Sequence, residues 1–148
     1  MQLVWIPCLY FRPGATNTGA RTRKRGDAPY FFEWLRKKRN VKRIIHVSVE
    51  SPPRPNWPSY DDELIDGALK GFQIEVLDWG KADLSLEVIR SVGCKLREVR
   101  LYWSGSSAVF RGWSTPEGLV SSEIGNLTTV HLSPMPVSTK PEQQLFYP

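Results

Sequence analysis

The sequence predicts an α/β fold in which about four parallel strands alternate with helices. The arrangement is either a leucine-rich-repeat-like arc or a small open parallel sheet. Three observations predict it. In LREVRLYW, residues 96–103, Val99, Leu101 and Trp103 alternate with Arg100 and Tyr102, the period of a strand whose two faces differ. Two partial copies flank it, FQIEVLDW at 72–79 and LTTVHL at 127–132. The upstream and central copies end in Leu-x-Trp; the central and downstream copies share Leu-x-x-Val-x-Leu. Finally, each gap between copies holds a segment with helical spacing, and strands joined through helices run parallel. The step from Leu96 to Leu127 is 31 residues, a little above the usual period of leucine-rich repeats.

Residues 1–11, MQLVWIPCLYF, are apolar and suit a short strand or a loose tail, with Pro7 arguing against a central strand. RPGATNTGARTRKRGDAP, residues 12–29, lacks apolar periodicity and is expected to be a disordered basic linker, so 1–29 is read as an N-terminal tail. YFFEWLRKKR, 30–39, is a helix: Phe31, Trp34 and Leu35 share one face, and the cations at 36–39 suit the negative end of its dipole. VKRIIHVSV, 41–49, is a strand with Ile45, Val47 and Val49 on one face and Ile44, His46 and Ser48 on the other. The four prolines of SPPRPNWPS, 51–59, require an extended loop.

Ser59 is placed to cap a helix over YDDELIDGALKG, with Leu64, Ile65 and Leu69 as its apolar stripe and Gly71 as its stop. The strand 72–79 follows, then a helix over LSLEVIRSVG, 84–93, then the central strand. Ser106 or Ser107 is placed to cap a helix over AVFRGW, and Pro116 suits the first position of a second helical turn. The strand 127–132 closes the domain, taken as residues 30–133, and 134–148 is read as a C-terminal tail. Val47, Val76, Val99, Leu101 and Val130 are expected to form one contiguous core.

At 148 residues the chain fits one domain, large enough to fold without disulfides or metal. Its two cysteines, Cys8 and Cys94, lie far apart, as in a reducing compartment, and give no metal-ligand spacing. The overall charge of +5 hides an asymmetry. Residues 1–43 hold eleven Lys/Arg and two acids, a net +9, whereas residues 44–148 hold nine basic and thirteen acidic residues, a net −4. With neither a secretory leader nor a run of about 20 apolar residues, the chain is expected to be intracellular, in the cytoplasm, with no membrane contact.

Candidate chemistry is sparse. No Gly-x-Ser-x-Gly elbow surrounds a serine, and neither His46 nor His131 sits in a triad pattern; both read as strand residues. Gly67, Gly71 and Gly80 are too widely set for a dinucleotide loop, so neither cofactor nor metal nor catalytic residue is expected. The binding candidates are aromatic: Trp79, Trp103, Tyr102 and Trp113. Trp79 and Trp103 each follow a strand leucine by two residues, so they are expected to stand side by side as a ledge at the C-terminal edge of the sheet, where α/β folds bind ligands. The second candidate is a basic patch of Arg21, Arg23, Lys24, Arg25, Arg36, Lys37, Lys38 and Arg39, suited to phosphate contact and hence to nucleic acid.

Several segments carry a resemblance: VKRIIHVSV, FQIEVLDW with ADLSLEVI, LREVRLYWSGSSAVFRGWS with PEGLV, and LTTVHL. Across roughly residues 30–133 they resemble the region upstream of the subtilisin-like serine protease domain in large intracellular fungal proteins. The most specific stretches are Val76 to Trp79, Leu101 to Gly105, Trp113-Ser114 and Pro116 to Leu119. The resemblance implies a non-catalytic accessory domain that binds a protein or another domain of a longer chain. It also admits a fragment of such a protease-containing protein with no activity of its own. The protease's His-Gly-Thr and Gly-Thr-Ser motifs do not occur here, so it transfers no catalytic residue.

Overall fold

The structure is a computed structural model that describes residues 3–6, 27–50 and 60–135. It is an α/β fold with an open, all-parallel sheet alternating with helices. Five strands stand in the order of the sequence: β1 (Leu3–Ile6), β2 (Arg43–Val49), β3 (Gln73–Ala82), β4 (Glu98–Trp103) and β5 (Thr129–Pro134). Between them run α1 (Asp27–Lys37), α2 (Asp62–Leu69), α3 (Leu86–Val92), α4 (Ser107–Ser114) and a 3-10 turn at Ser122–Ile124. The strand order never reverses, so the sheet is not doubly wound. Right-handed crossovers that all step the same way put every helix on the same side, and α1 packs on α2 and α2 on α3.

The repeat is clearer in the structure than in the sequence. Four strands, β4 and β5 together with the residues that lead into them, carry one pattern, apolar-x-x-apolar-x-apolar: Ile44, Val47, Val49; Ile74, Leu77, Trp79; Leu96, Val99, Leu101; Leu127, Val130, Leu132. The register aligns Val47 with Leu77, Leu77 with Val99 and Val99 with Val130, in steps of 30, 22 and 31 residues. Every member on β2, β3 and β4 is buried, and together with Phe32, Ile65, Leu69, Val88, Ile89 and Val92 they form the core between sheet and helices. The first two apolar positions are three apart. Simple alternation therefore fails at the start of each strand and holds only from the second position on. For this reason Ile44, not Ile45, is fully buried.

Local rules hold at the helix ends. Asp61, rather than Ser59, caps α2 by accepting from the Leu64 N–H at 2.8 Å, and two acids, Asp62 and Glu63, occupy the first turn. Ser85 and Ser106 cap α3 and α4 in the same way. After α2 the chain reverses at Gly71, whose φ of +86° a side chain would resist. Asp83, at φ +56°, ends the long strand β3.

Of the two readings for residues 1–11, a short strand or a loose tail, Leu3–Ile6 takes the first as the edge strand β1, with Leu3 opposite His46 and Trp5 opposite Ser48. Two expectations are corrected. The helix read from residue 30 begins at Asp27. Val76 and Val130 do not join the expected core. Val76 points to the sheet face without helices and is only half-buried, and Val130 is 42% exposed, with no helix among the described residues packed closely over β5. The basic run Arg21 to Arg25, the proline loop 51–59 and the tail beyond residue 135 lie outside the described residues.

Candidate interaction face

With the helices on one side, the other side of the sheet is an open face built from the residues between the apolar positions. The register sets them in rows. One row runs His46, Val76, Glu98, Thr129; the next runs Ser48, Asp78, Arg100, His131. Tyr102 and Ser133 extend it toward the C-terminal ends of the strands.

The centre of this face is polar and internally linked. Tyr102 donates its hydroxyl to Asp78 Oδ1 at 2.8 Å. Arg100 lies between two carboxylates, 3.7 Å from Asp78 and 3.8 Å from Glu98. Glu98 Oε1 is 3.1 Å from His131 Nε2. Five strand residues thus form a chain of contacts across β3, β4 and β5. Arg100 and His131 are about half-exposed at 47% and 49%, so the interactions sit in partial contact with water and add little stability. Their value lies in fixing where donors and acceptors point. Tyr102 is the most perturbed group: burial, then its bond to Asp78 and the charge there, push its pKa up to about 12. It therefore stays a neutral donor throughout the physiological range.

A bulge positions this cluster. Asp78 pairs with Arg100, but Ala82 pairs with Tyr102, so β3 spends four residues where β4 spends two. The extra length carries the chain past Gly80 to Asp83, whose N–H donates to the Tyr102 carbonyl at 2.8 Å. The Asp83 carboxylate accepts from the Ser104 N–H at 3.0 Å and from the Ser104 hydroxyl. The irregularity is thereby pinned on both strands, and bulges of this kind re-aim side chains at the ends of sheets.

The expected aromatic ledge does not form. In register Trp79 is the counterpart of Leu101, one repeat position earlier than Trp103, because Leu77 pairs with Val99. Trp79 is 1% exposed, in the helix-side core, stacked on Phe32 at 6.2 Å and edge-on to Tyr60 at 5.4 Å. Trp103 is half-buried near the edge, donates its indole N–H to the Ser106 carbonyl at 2.8 Å and meets Phe110 at 5.7 Å. Trp113 is buried and ties α4 to the segment before α3 through the Leu84 carbonyl. Of the four aromatic candidates, only Tyr102 belongs to the open face. Asp78, Glu98 and Arg100 were not singled out from the sequence, although their alternation with Val99 and Leu101 was the available signal.

Of the basic patch, Arg36, Lys37, Lys38 and Arg39 fall among the described residues, and three of them are engaged within the chain. Arg36 reaches across to α2, donating to the Ala68 and Lys70 carbonyls at 2.9 and 2.7 Å, and lies over the Phe72 ring. It serves as a cationic clamp on the C-terminal end of α2. Lys37 pairs with Glu33 one turn earlier, and Arg39 covers the Trp34 ring.

Among the described residues no cluster of three or more His, Cys, Asp or Glu side chains has the geometry to hold a metal ion. No helix among them is long and apolar enough to cross a membrane. Comparison with protein-family models, curated proteins and solved structures finds no match.

Proposed function

We propose that the chain is a non-catalytic interaction domain, an accessory module that docks another protein or another domain of a longer polypeptide through the open face of its sheet. The observation that carries this reading is the one-sided helix layer. Among the described residues it leaves one sheet face without a helix, and the centre of that face holds oriented donors and acceptors from Tyr102, Asp78, Arg100, Glu98 and His131. Such a face suits specific polar recognition, in which complementary charges set register and exclude wrong partners. The resemblance of residues 30–133 to the region preceding a subtilisin-like protease domain nominates that domain as the partner and the cytoplasm as the setting.

The test is titration calorimetry of the chain against a subtilisin-like domain taken from a protein that carries both regions. Binding that persists at 0.5 M salt and falls at least tenfold in Arg100→Ala and in Tyr102→Phe supports the reading. No binding, or binding indifferent to both substitutions, removes it. Affinity for a single-stranded oligonucleotide that collapses with salt and survives both substitutions would instead favour nucleic-acid contact through the basic front.

A further inference from the structure

The repeat breaks off at β5. The residues equivalent to Val99 and Leu101, 0% and 1% exposed, are Val130 and Leu132, 42% and 43% exposed. All six residues of β5 are exposed. Among the described residues the strand is also an unguarded edge. It carries no Lys, Arg, Asp or Glu, no bulge interrupts its pairing with β4, and its proline, Pro134, stands at the last position. Natural sheets usually protect free edges with one of those devices.

We infer that β5 is a self-association edge: two copies of this chain pair their β5 strands antiparallel about a two-fold axis through His131, joining two five-stranded sheets into one of ten. Backbone geometry favours this occupant. The Thr129 and Met135 N–H groups donate toward β4, so alternation turns the N–H and C=O of Val130 and Leu132 outward. With the axis at His131, Val130 of one copy faces Leu132 of the other, and the outward groups of both exchange four hydrogen bonds. Pro134, which has no N–H, falls outside the shared ladder. The same register sets each Val130 side chain against the other copy's Leu132 on the helix side of the sheet, so the exposed apolar pair becomes a four-residue cluster. A strand without Lys, Arg, Asp or Glu meets its own copy with none of those side chains set against its like, which suits a closed isologous contact.

The experiment is light scattering coupled to size-exclusion chromatography on the full chain, from 1 to 200 μM. The expected result is a monomer–dimer equilibrium that Val130→Lys and Leu132→Glu each shift to monomer with unchanged circular dichroism. An equimolar mixture of the two variants should recover dimer, because the lysine of one faces the glutamate of the other. A monomer at 200 μM overturns the proposal, as does a dimer that ignores both substitutions or a mixture that fails to recover. Should either variant not fold, His131→Cys in a Cys8→Ser, Cys94→Ser background decides the matter. The two-fold places residue 131 opposite itself in a non-hydrogen-bonded pair, with Cα atoms about 4.5 Å apart and within disulfide range. Mild oxidation should give a quantitative covalent dimer at low micromolar concentration. Absence of that crosslink refutes the inference.

Discussion

Leu101 and Leu132 hold the same place in adjacent repeats and differ in what lies above them. They pair directly across β4 and β5, yet Leu101 is 1% exposed and Leu132 43%. Truncating each to alanine therefore isolates the contribution of the helix layer. Leu101→Ala removes a fully enclosed side chain, losing its transfer free energy and leaving a cavity that the neighbours close only in part, a cost of about 2–5 kcal/mol. Leu132→Ala removes a side chain that keeps nearly half its surface in water. Complete burial of leucine contributes about 1.5–3 kcal/mol, so roughly half of that, at most ~1.5 kcal/mol, is at stake, and an open side leaves no cavity. In a domain of this size 1 kcal/mol corresponds to about 2–4 °C in Tm. Leu101→Ala should then lower Tm by about 5–15 °C and Leu132→Ala by no more than about 5 °C.

The assay is urea unfolding at pH 7 and 1 μM protein, followed by far-UV circular dichroism and by the fluorescence of the buried Trp79 and Trp113. Coincident transitions license the two-state comparison. If Leu132→Ala costs as much as Leu101→Ala at a concentration where the chain is monomeric, something covers β5 within a single chain. The one-sided edge would then be misread, and the self-association proposal would lose its basis.

Other expectations follow from individual residues. Tyr102, with its pKa raised to about 12, stays neutral in the folded state above the ordinary tyrosine range. Its contribution should be fully present below about pH 10 and lost as pH rises from there toward 12, since the unfolded chain releases that proton first. Absorbance titration at 295 nm of the wild type minus Tyr102→Phe should show the late ionisation, and Asp78→Asn should bring it down only part of the way because burial is the larger cause; an ordinary midpoint near 10 would contradict the buried hydrogen bond. Gly118→Ala would drive a Cβ to 2.4 Å from the Trp113 carbonyl oxygen, so it should cost at least about 2 kcal/mol by thermal melting. Gly67→Ala, inside α2 with nothing within 4 Å of the new carbon, should instead stabilise by about 0.5–1 kcal/mol. Removing the α2 cap with Asp61→Ala should cost about 1 kcal/mol, and an unchanged Tm would remove the cap from the account of why α2 starts there.

The alternation of strands and helices was legible because α2, α3 and α4 each follow a residue whose side chain caps a helix, and the strands between them are rich in branched residues. The parallel sheet follows from that alternation. The register was not legible. Leu-x-Trp in the upstream and central strands invites an alignment of Trp79 with Trp103, and only the three-residue offset from Ile74 to Leu77 shows that Trp79 stands in the place of Leu101. The offset is easily missed because a period of two accounts for most of each strand. That alignment is off by two residues, which keeps the face but sets Trp79 one repeat position too near the edge; Val76 was misplaced separately, since a slip of one residue moves a side chain to the other face. Val130 was misjudged for another reason. The pattern identifies which face a residue takes, but whether a helix covers that face is a tertiary fact, and no motif within LTTVHL records its absence.

The winding itself constrains function more than any motif does. A sheet whose strands follow sequence order has no topological switch point, and the crevice where doubly wound folds bind small ligands forms only where the winding reverses. Among the described residues the strand order has no such reversal, so the proposed recognition draws on what successive one-way crossovers leave uncovered. Two surfaces qualify among the described residues: the open face, with its linked Asp78, Arg100, Tyr102, Glu98 and His131, and the free edge of β5. They meet at His131, which contributes a side chain to the first and stands at the centre of the second. A partner bound across the face and a copy paired along the edge would therefore touch adjacent residues. Dimerisation should accordingly change affinity at the face, and by linkage the face's ligand should change dimerisation by the same factor.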